Sequence, residues 1–128
     1  MVNFVNKQVD REEYILNICK GKNVLNIGCL AADKKAILHE KIENIAERVW
    51  GLDIFDSDIV NYTKGDAQDF LFENKFDVIV IGEVIEHIWN IEGMFQSAYQ
   101  HLNTGGVLIV TTPNAYAQIF LKNALFGK

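Results

Sequence analysis

The chain has 128 residues, 49% of them apolar, and a formal net charge of −5. That is enough material for one hydrophobic core and too little for two ordinary domains. The acidity leaves no general basic footprint, which weighs against broad attraction to nucleic acid or anionic lipid. The start, MVNFVNKQVDREEY, lacks the cationic opening and apolar core of a signal peptide, and no stretch approaches the roughly 20 apolar residues of a membrane span. A cytoplasmic location is therefore expected. Cys19 and Cys29, with no CxxC spacing, indicate neither a disulfide framework nor a zinc knuckle and read as small buried hydrophobes.

In chain order, Asp10 and Glu13 have the spacing of a capping box, and Tyr14, Ile15 and Ile18 supply an apolar stripe that Gly21 ends. Val24 to Ile27 reads as a short strand. Asp33 to Ala46 carries Ile37, Leu38, Ile42 and Ile45 at helical spacing, and a strand from Val49 to Ile54 follows. Ile59 to Thr63 is a weaker strand. Val78 to Ile81 is apolar without alternation, the pattern of a strand covered on both faces. A helix is expected from about Asn90, with Ile91, Met94, Phe95, Ala98 and Leu102 on one face. A Gly105-Gly106 turn then launches a fifth strand, Val107 to Thr112. Pro113 has no N–H to donate and ends pairing there, and Asn114 suits the N-cap of a helix through AYAQIFLKNALFGK, which is apolar on almost every face and wants cover.

Strands alternating with amphipathic helices predict an α/β fold in one domain, residues 1–128: a Rossmann-like, doubly wound, mostly parallel sheet of about five strands with helices on both faces. Such sheets bind ligands beyond the carboxyl ends of their strands. The stretch VLNIGCLAAD lies at one such end, where free backbone N–H groups and the following helix favour a carboxylate or phosphate.

Taken in order, VLNIGCLAAD, VWGLDI, KGDAQDF, FDVIVIGEVIEHIWN and LNTGGVLIVTTPN resemble the class I S-adenosylmethionine-dependent methyltransferases, particularly their small-molecule and sugar O-methyltransferase branches. The resemblance covers roughly residues 20 to 128. It implies S-adenosyl-L-methionine as cofactor, with contacts from Asn26, Gly28, Cys29, Asp53, Ile54, Asp66, Ala67 and Glu83. Family loops carry an acidic residue and three glycines where this chain has Asn26, Gly28, Leu30 and Ala32. Leu30 puts a branched side chain where the ligand usually lies, and Asn26 accepts from the methionine ammonium without the charge assistance of an acid, so weaker cofactor binding is expected.

The resemblance also gives Asp53 the two ribose hydroxyls, and Asp66 and Ala67 the adenine. Glu83 faces the donor sulfur, and His87 is the candidate base for a hydroxyl acceptor. Only twelve residues separate Asp53 from Asp66, too few for the family's crossover helix, so residues 55–58 should form a single turn or a loop into an edge strand.

Glu83, Glu86 and His87, at i, i+3 and i+4, also resemble the magnesium site of small-RNA 2′-O-methyltransferases, but no histidine follows His101 to complete it, and no metal is expected. The family sheet normally continues into an antiparallel hairpin. Without it, strand five is expected to be an edge, in a truncated chain, a natural fragment or a homodimer that covers the gap. Two readings stay open: a methyltransferase acting on an oxygen or nitrogen of a small molecule, and a methyltransferase-like binding module without turnover. Metal-dependent RNA methylation and a nucleotide-binding dehydrogenase are weaker alternatives.

Overall fold

The computed structural model describes residues 2–5, 11–30, 35–82, 84, 87–111 and 118–122, the first and last of these segments as backbone. The elements run β1 (Val2–Val5), α1 (Arg11–Cys19), β2 (Asn23–Ile27), α2 (Ile37–Ile45), β3 (Arg48–Asp53), β4 (Tyr62–Lys64), β5 (Phe76–Gly82), α3 (Ile91–Gln100), β6 (Leu102–Thr111) and β7 (Gln118–Lys122). They build one seven-stranded sheet in the order β1-β7-β6-β5-β2-β3-β4. The five strands from β6 to β4 are parallel, as the alternation of strands and helices predicts.

Residue parity along the strands sorts the core into two layers. Val24, Val49, Val78, Val80 and Ile109 face α1 and α2, packing on Ile15, Cys19 and Ile42. Leu25, Ile27, Leu52, Ile79, Ile81, Leu108 and Val110 face α3, packing on Met94 and Ala98. Because both faces are covered, β5 is apolar at nearly every position, which is why it shows no alternation.

Local signals end the helices. Gly21 takes a φ of +71°, and Lys22 N donates to Cys19 O at 3.0 Å, closing α1 with a left-handed glycine. Asn90 Oδ1 accepts from Gly93 N at 2.9 Å and caps α3 where the sequence places its start. Asp10, the other half of the capping box expected for α1, lies outside the described residues. Leu102, expected on the face of α3, instead opens β6.

α2 begins at Ile37 rather than Asp33, with Ala36 as an N-cap that makes no side-chain bond, so Lys35 and Ala36 belong to the loop. The Gly105-Gly106 pair is not a turn before the strand but part of a bulge within it: Phe76 pairs with Leu102, and the next partners are Val78 and Val107. β4 is three residues long and starts at Tyr62, after residues 54–61 cross from β3 without a helix. That crossing is short for parallel neighbours; Asn61 turns it with a φ of +58°, and its carbonyl accepts from Gly51 N at 2.8 Å.

The largest correction lies at the other side of the sheet. Residues 118–122, read as helix, form β7, which pairs antiparallel along β6 from Thr111↔Gln118 to Val107↔Lys122. β1, which the apolar pattern does not predict, pairs antiparallel with β7. The expected open edge at β6 is therefore covered from within the chain. A short apolar run cannot be told from a buried helix segment by periodicity, and only the pairing on both sides marks residues 118–122 as an internal strand.

Candidate functional site

The chain leaves β2 in one direction to β3 and returns on the other side to β5, so the strand order reverses between β2 and β5. A crevice opens beyond the carboxyl ends of two parallel neighbours at such a switch point. Gly28 follows β2 there with a φ of +79°, and its N–H donates to Leu52 O at 2.8 Å. A methyl group at Gly28 would overlap Val84 Cγ2 and stand 3.0 Å from Gly82 O, so the turn can approach the end of β5 only with glycine at this position.

Asp53 ends β3 beside this turn. Its Oδ2 accepts from Leu30 N at 3.0 Å, and its Oδ1 accepts from Ile54 N at 2.7 Å. One carboxylate thus joins the loops after β2 and β3 and holds two backbone donors in place. Each oxygen keeps a further lone pair, and the residue is only half-buried. Leu30 turns its N–H to this carboxylate while its side chain is 3% exposed, so the branched chain packs into protein instead of standing open in the cleft. Cys29, next to it, is buried, and burial first and then the Asp53 charge push its thiol up to about 12. It is a packing group, not a nucleophile.

Tyr62 completes the corner that the missing crossover helix would cover. Its hydroxyl donates to Asp53 O at 3.2 Å and also to Phe55 O. Burial first, then the charges of Asp53, Cys29 and Asp56, push its phenol up to about 12, so it stays a donor. A methyl group on Gly51 would stand 2.8 Å from Cys29 Sγ, 3.2 Å from His39 Cε1 and 3.3 Å from Tyr62 Cδ1. The absence of a side chain on β3 at this point lets three side chains from three segments meet over the strand.

Asn26, one residue short of the end of β2, is 3% exposed, and its Nδ2 lies 3.2 Å from Nδ1 of the equally buried His39 of α2. Burial lowers the His39 pKa, against the raising influence of Glu43 and Glu40, and keeps the ring neutral. With Nδ1 accepting, the ring hydrogen sits on Nε2, a buried atom without a partner among the described residues. Leaving such a donor unpaired costs roughly 1–3 kcal/mol.

The turn after β4 brings up Asp66 and Ala67. Ala67 is buried against the α3 layer, and Asp66 Oδ1 accepts from Gln68 N at 2.8 Å, an Asx-type turn that leaves the carboxylate exposed. Gln68 Oε1 accepts from Trp89 N at 2.9 Å and Asn90 N at 2.7 Å, tying this turn to the start of α3. Ile54 is exposed beside Asp53. His87 is exposed in the turn after β5, its N–H donating to Val84 O at 2.9 Å.

Of the residues expected to act, Asn26, Gly28, Cys29, Asp53 and Ile54 share one corner, and Asp66 and Ala67 stand on the adjacent turn. Glu83 and Glu86 lie outside the described residues. Among the described residues, no group of three or more His, Cys, Asp or Glu gathers to hold a metal ion. His101 serves the fold: Nδ1 bonds Ser97 O at 2.7 Å, Nε2 accepts from Phe72 N at 2.9 Å, and the ring packs on Phe70. A cavity of about 370 Å³ opens at the opposite end of the sheet, lined by Asn23, Arg48, Trp50, Phe72 and Phe76 among others, away from the carboxyl ends of β2, β3 and β5.

His39, Gln68 and Tyr62 were not foreseen. His39 carried the only available signal, an ionisable residue inside the apolar stripe of a helix.

Residues 8–126 match a family described as "Methyltransferase domain". A "Probable S-adenosylmethionine-dependent methyltransferase" of Mycolicibacterium smegmatis is 31% identical over 106 residues, which cover 75% of this chain and 40% of that protein. The mitochondrial ubiquinone biosynthesis O-methyltransferase of Rattus norvegicus is 27% identical over 126 residues, covering 84% of this chain and 35% of that protein. The chain therefore spans well under half the length of these two relatives. Among solved structures, the N-methyltransferase NodS from Bradyrhizobium japonicum, in complex with S-adenosyl-L-homocysteine, has a TM-score of 0.64 at 21% identity, over 82% of this chain and 62% of that one. DesVI of Streptomyces venezuelae has a TM-score of 0.65 at 17% identity, over 82% and 49%. At such identities the likeness establishes the fold, the doubly wound sheet described above.

Proposed function

The chain belongs to the methyltransferase-domain family, and on that premise we propose that it binds S-adenosyl-L-methionine in the crevice beyond β2, β3 and β5 and transfers its methyl group to an oxygen or nitrogen of a small molecule. The observation that carries this reading is Asp53: a half-buried carboxylate at a strand end, anchored by two backbone N–H groups and still able to accept from a vicinal diol. The fit extends along the crevice. Gly28 lets the turn pass close to the end of β5, Ile54 offers an exposed apolar surface beside Asp53, and Asp66 with the Ala67 N–H suits the edge of an adenine. When bound, S-adenosylmethionine supplies an electrophilic methyl group on a sulfonium.

The chain's own work is then mostly positioning. Asp53 and the Asp66 turn hold the nucleoside end, and Asn26 takes the methionine amino group. Glu83 contributes an acceptor near the positive sulfur, and His87 takes the proton of a hydroxyl acceptor. Curated relatives named as O-methyltransferases and a structural neighbour named as an N-methyltransferase support a nucleophilic oxygen or nitrogen as the acceptor atom. The net charge of −5 supports a small acceptor over RNA.

Titration calorimetry with S-adenosylhomocysteine, with and without magnesium, tests the cofactor, and transfer of a labelled methyl group to a panel of phenols, sugars and amines tests the reaction. Saturable, magnesium-independent binding with transfer to one class is the expected result. Binding without transfer would leave a cofactor-binding module, and no binding would remove the reading altogether.

A further inference from the structure

The pair formed by Asn26 and His39 has a feature the proposed binding mode does not use. A histidine stands inside the apolar face of α2, 3% exposed, with a ring nitrogen that has no partner among the described residues, where a leucine would fill the same space. Among the described residues, its ring bonds to the side-chain nitrogen of Asn26 alone. That residue stands where the resembling family has an acid, two positions before the glycine of the turn. An amide, unlike a carboxylate, has two unlike ends, and an amide that presents its NH2 group to an ammonium repels it. An asparagine can replace an acid at such a place only if something fixes which end faces outward.

We propose that His39 is a positioning residue that sets the amide of Asn26: Nδ1 takes an Nδ2 hydrogen, and the amide oxygen is left to accept from the amino group of the cofactor's methionine tail. This inference rests on the cofactor reading above and goes beyond it by assigning a role to a residue that touches neither cofactor nor acceptor. It also accounts for the histidine: its neutral ring provides an acceptor in an apolar layer where a charged carboxylate would itself need pairing. Protonation would turn Nδ1 into a donor, and the amide would then have to rotate its oxygen inward. The titratable groups around the ring are Glu40 and Glu43 on α2, with Cys29 and Tyr62 meeting it over Gly51. The last two stay neutral throughout the acid range, since their pKa values are about 12.

The experiment compares two probes that differ only beyond the sulfur. S-adenosylhomocysteine carries the amino acid tail, and 5′-methylthioadenosine does not. His39→Leu is expected to weaken S-adenosylhomocysteine about tenfold while leaving 5′-methylthioadenosine within about twofold. His39→Gln, whose side-chain oxygen can accept from Nδ2, should recover most of the loss. Asn26→Asp in the His39→Leu background should recover it by another route, because a carboxylate has no wrong end. Acidification of the wild type should weaken S-adenosylhomocysteine alone. Equal weakening of both probes in His39→Leu, or no weakening of either, overturns the inference, and retained 5′-methylthioadenosine binding shows that a variant is folded. Should the wild type bind neither probe, the cofactor reading fails first and takes the inference with it.

Discussion

The ends of β2 and β3 lie side by side at the switch point of the sheet, yet they are built on different principles. At the end of β3 a single carboxylate, Asp53, holds both loops through two backbone donors and presents charge directly. At the end of β2 no charged side chain stands at Asn26 or Gly28; the turn depends on a left-handed glycine, a backbone bond to Leu52 O and a buried amide-imidazole pair. The first arrangement is robust because a carboxylate accepts from any direction. The second is sensitive to shape and to protonation, because each of its parts works in only one orientation.

Breaking the β3 side should have the largest effect. Asp53→Ala removes an acceptor for two backbone donors and, on the proposed function, for the cofactor's ribose diol. Two charge-assisted hydrogen bonds at roughly 1.5–3 kcal/mol each predict a loss of at least about a hundredfold in affinity. Calorimetry should show S-adenosylhomocysteine and 5′-methylthioadenosine weakened alike, in contrast with His39→Leu. If the two sites instead behaved identically, the division of labour between the strand ends would be lost.

Gly28→Ala attacks the β2 side through shape. A φ of +79° strains any L-residue, and the added methyl meets Val84 and Gly82 O, so a loss of about 2–3 kcal/mol in folding stability is expected from urea unfolding. Gly21→Ala is the control. It shares a positive φ but nothing lies within 4 Å of the added methyl, so it should lose only the conformational part, about 1 kcal/mol.

Two pH effects sharpen the comparison further. Burial raises Cys19 and Cys29 from 9.0 to about 12, so their contribution to stability is complete below pH 9 and is lost as the pH climbs from 9 towards 12. The slope is at most about 1.4 kcal/mol per pH unit for each thiol. Thermal denaturation across that range checks it, and both thiols should resist alkylation at pH 8. His39 moves the other way: its folded pKa lies below 6.5, so the unfolded chain binds more protons in that window and stability falls as the pH drops below 6.5. This is the smallest effect, and it should vanish in His39→Leu.

The parts of the molecule that were legible beforehand are those whose cause is local. Gly28 and Asp53 were readable because a strand-turn-helix junction and a strand-ending acid are short-range patterns. Asn90 was readable because a cap acts on the N–H three residues away. Gly51 carried no such sign. Its purpose, room for Cys29, His39 and Tyr62, exists only where three segments converge. The same holds for Gln68, whose side chain reaches Trp89 and Asn90 across more than twenty residues. The pair Gly105-Gly106 reads equally as a turn or a bulge because glycine marks both, and only the register between β5 and β6 separates them.

From its pattern of apolar periods and caps, the chain by itself determined five parallel strands, three helices and the carboxylate at the tip of β3. Tertiary structure decided which backbone edges meet: β7 on β6, β1 on β7, and a helical histidine under an asparagine of the sheet. The reason is physical. Period and capping are interactions within a few residues and are written into neighbouring side chains, whereas edge pairing and a buried polar pair depend on partners far apart in the chain, selected only when the whole core closes.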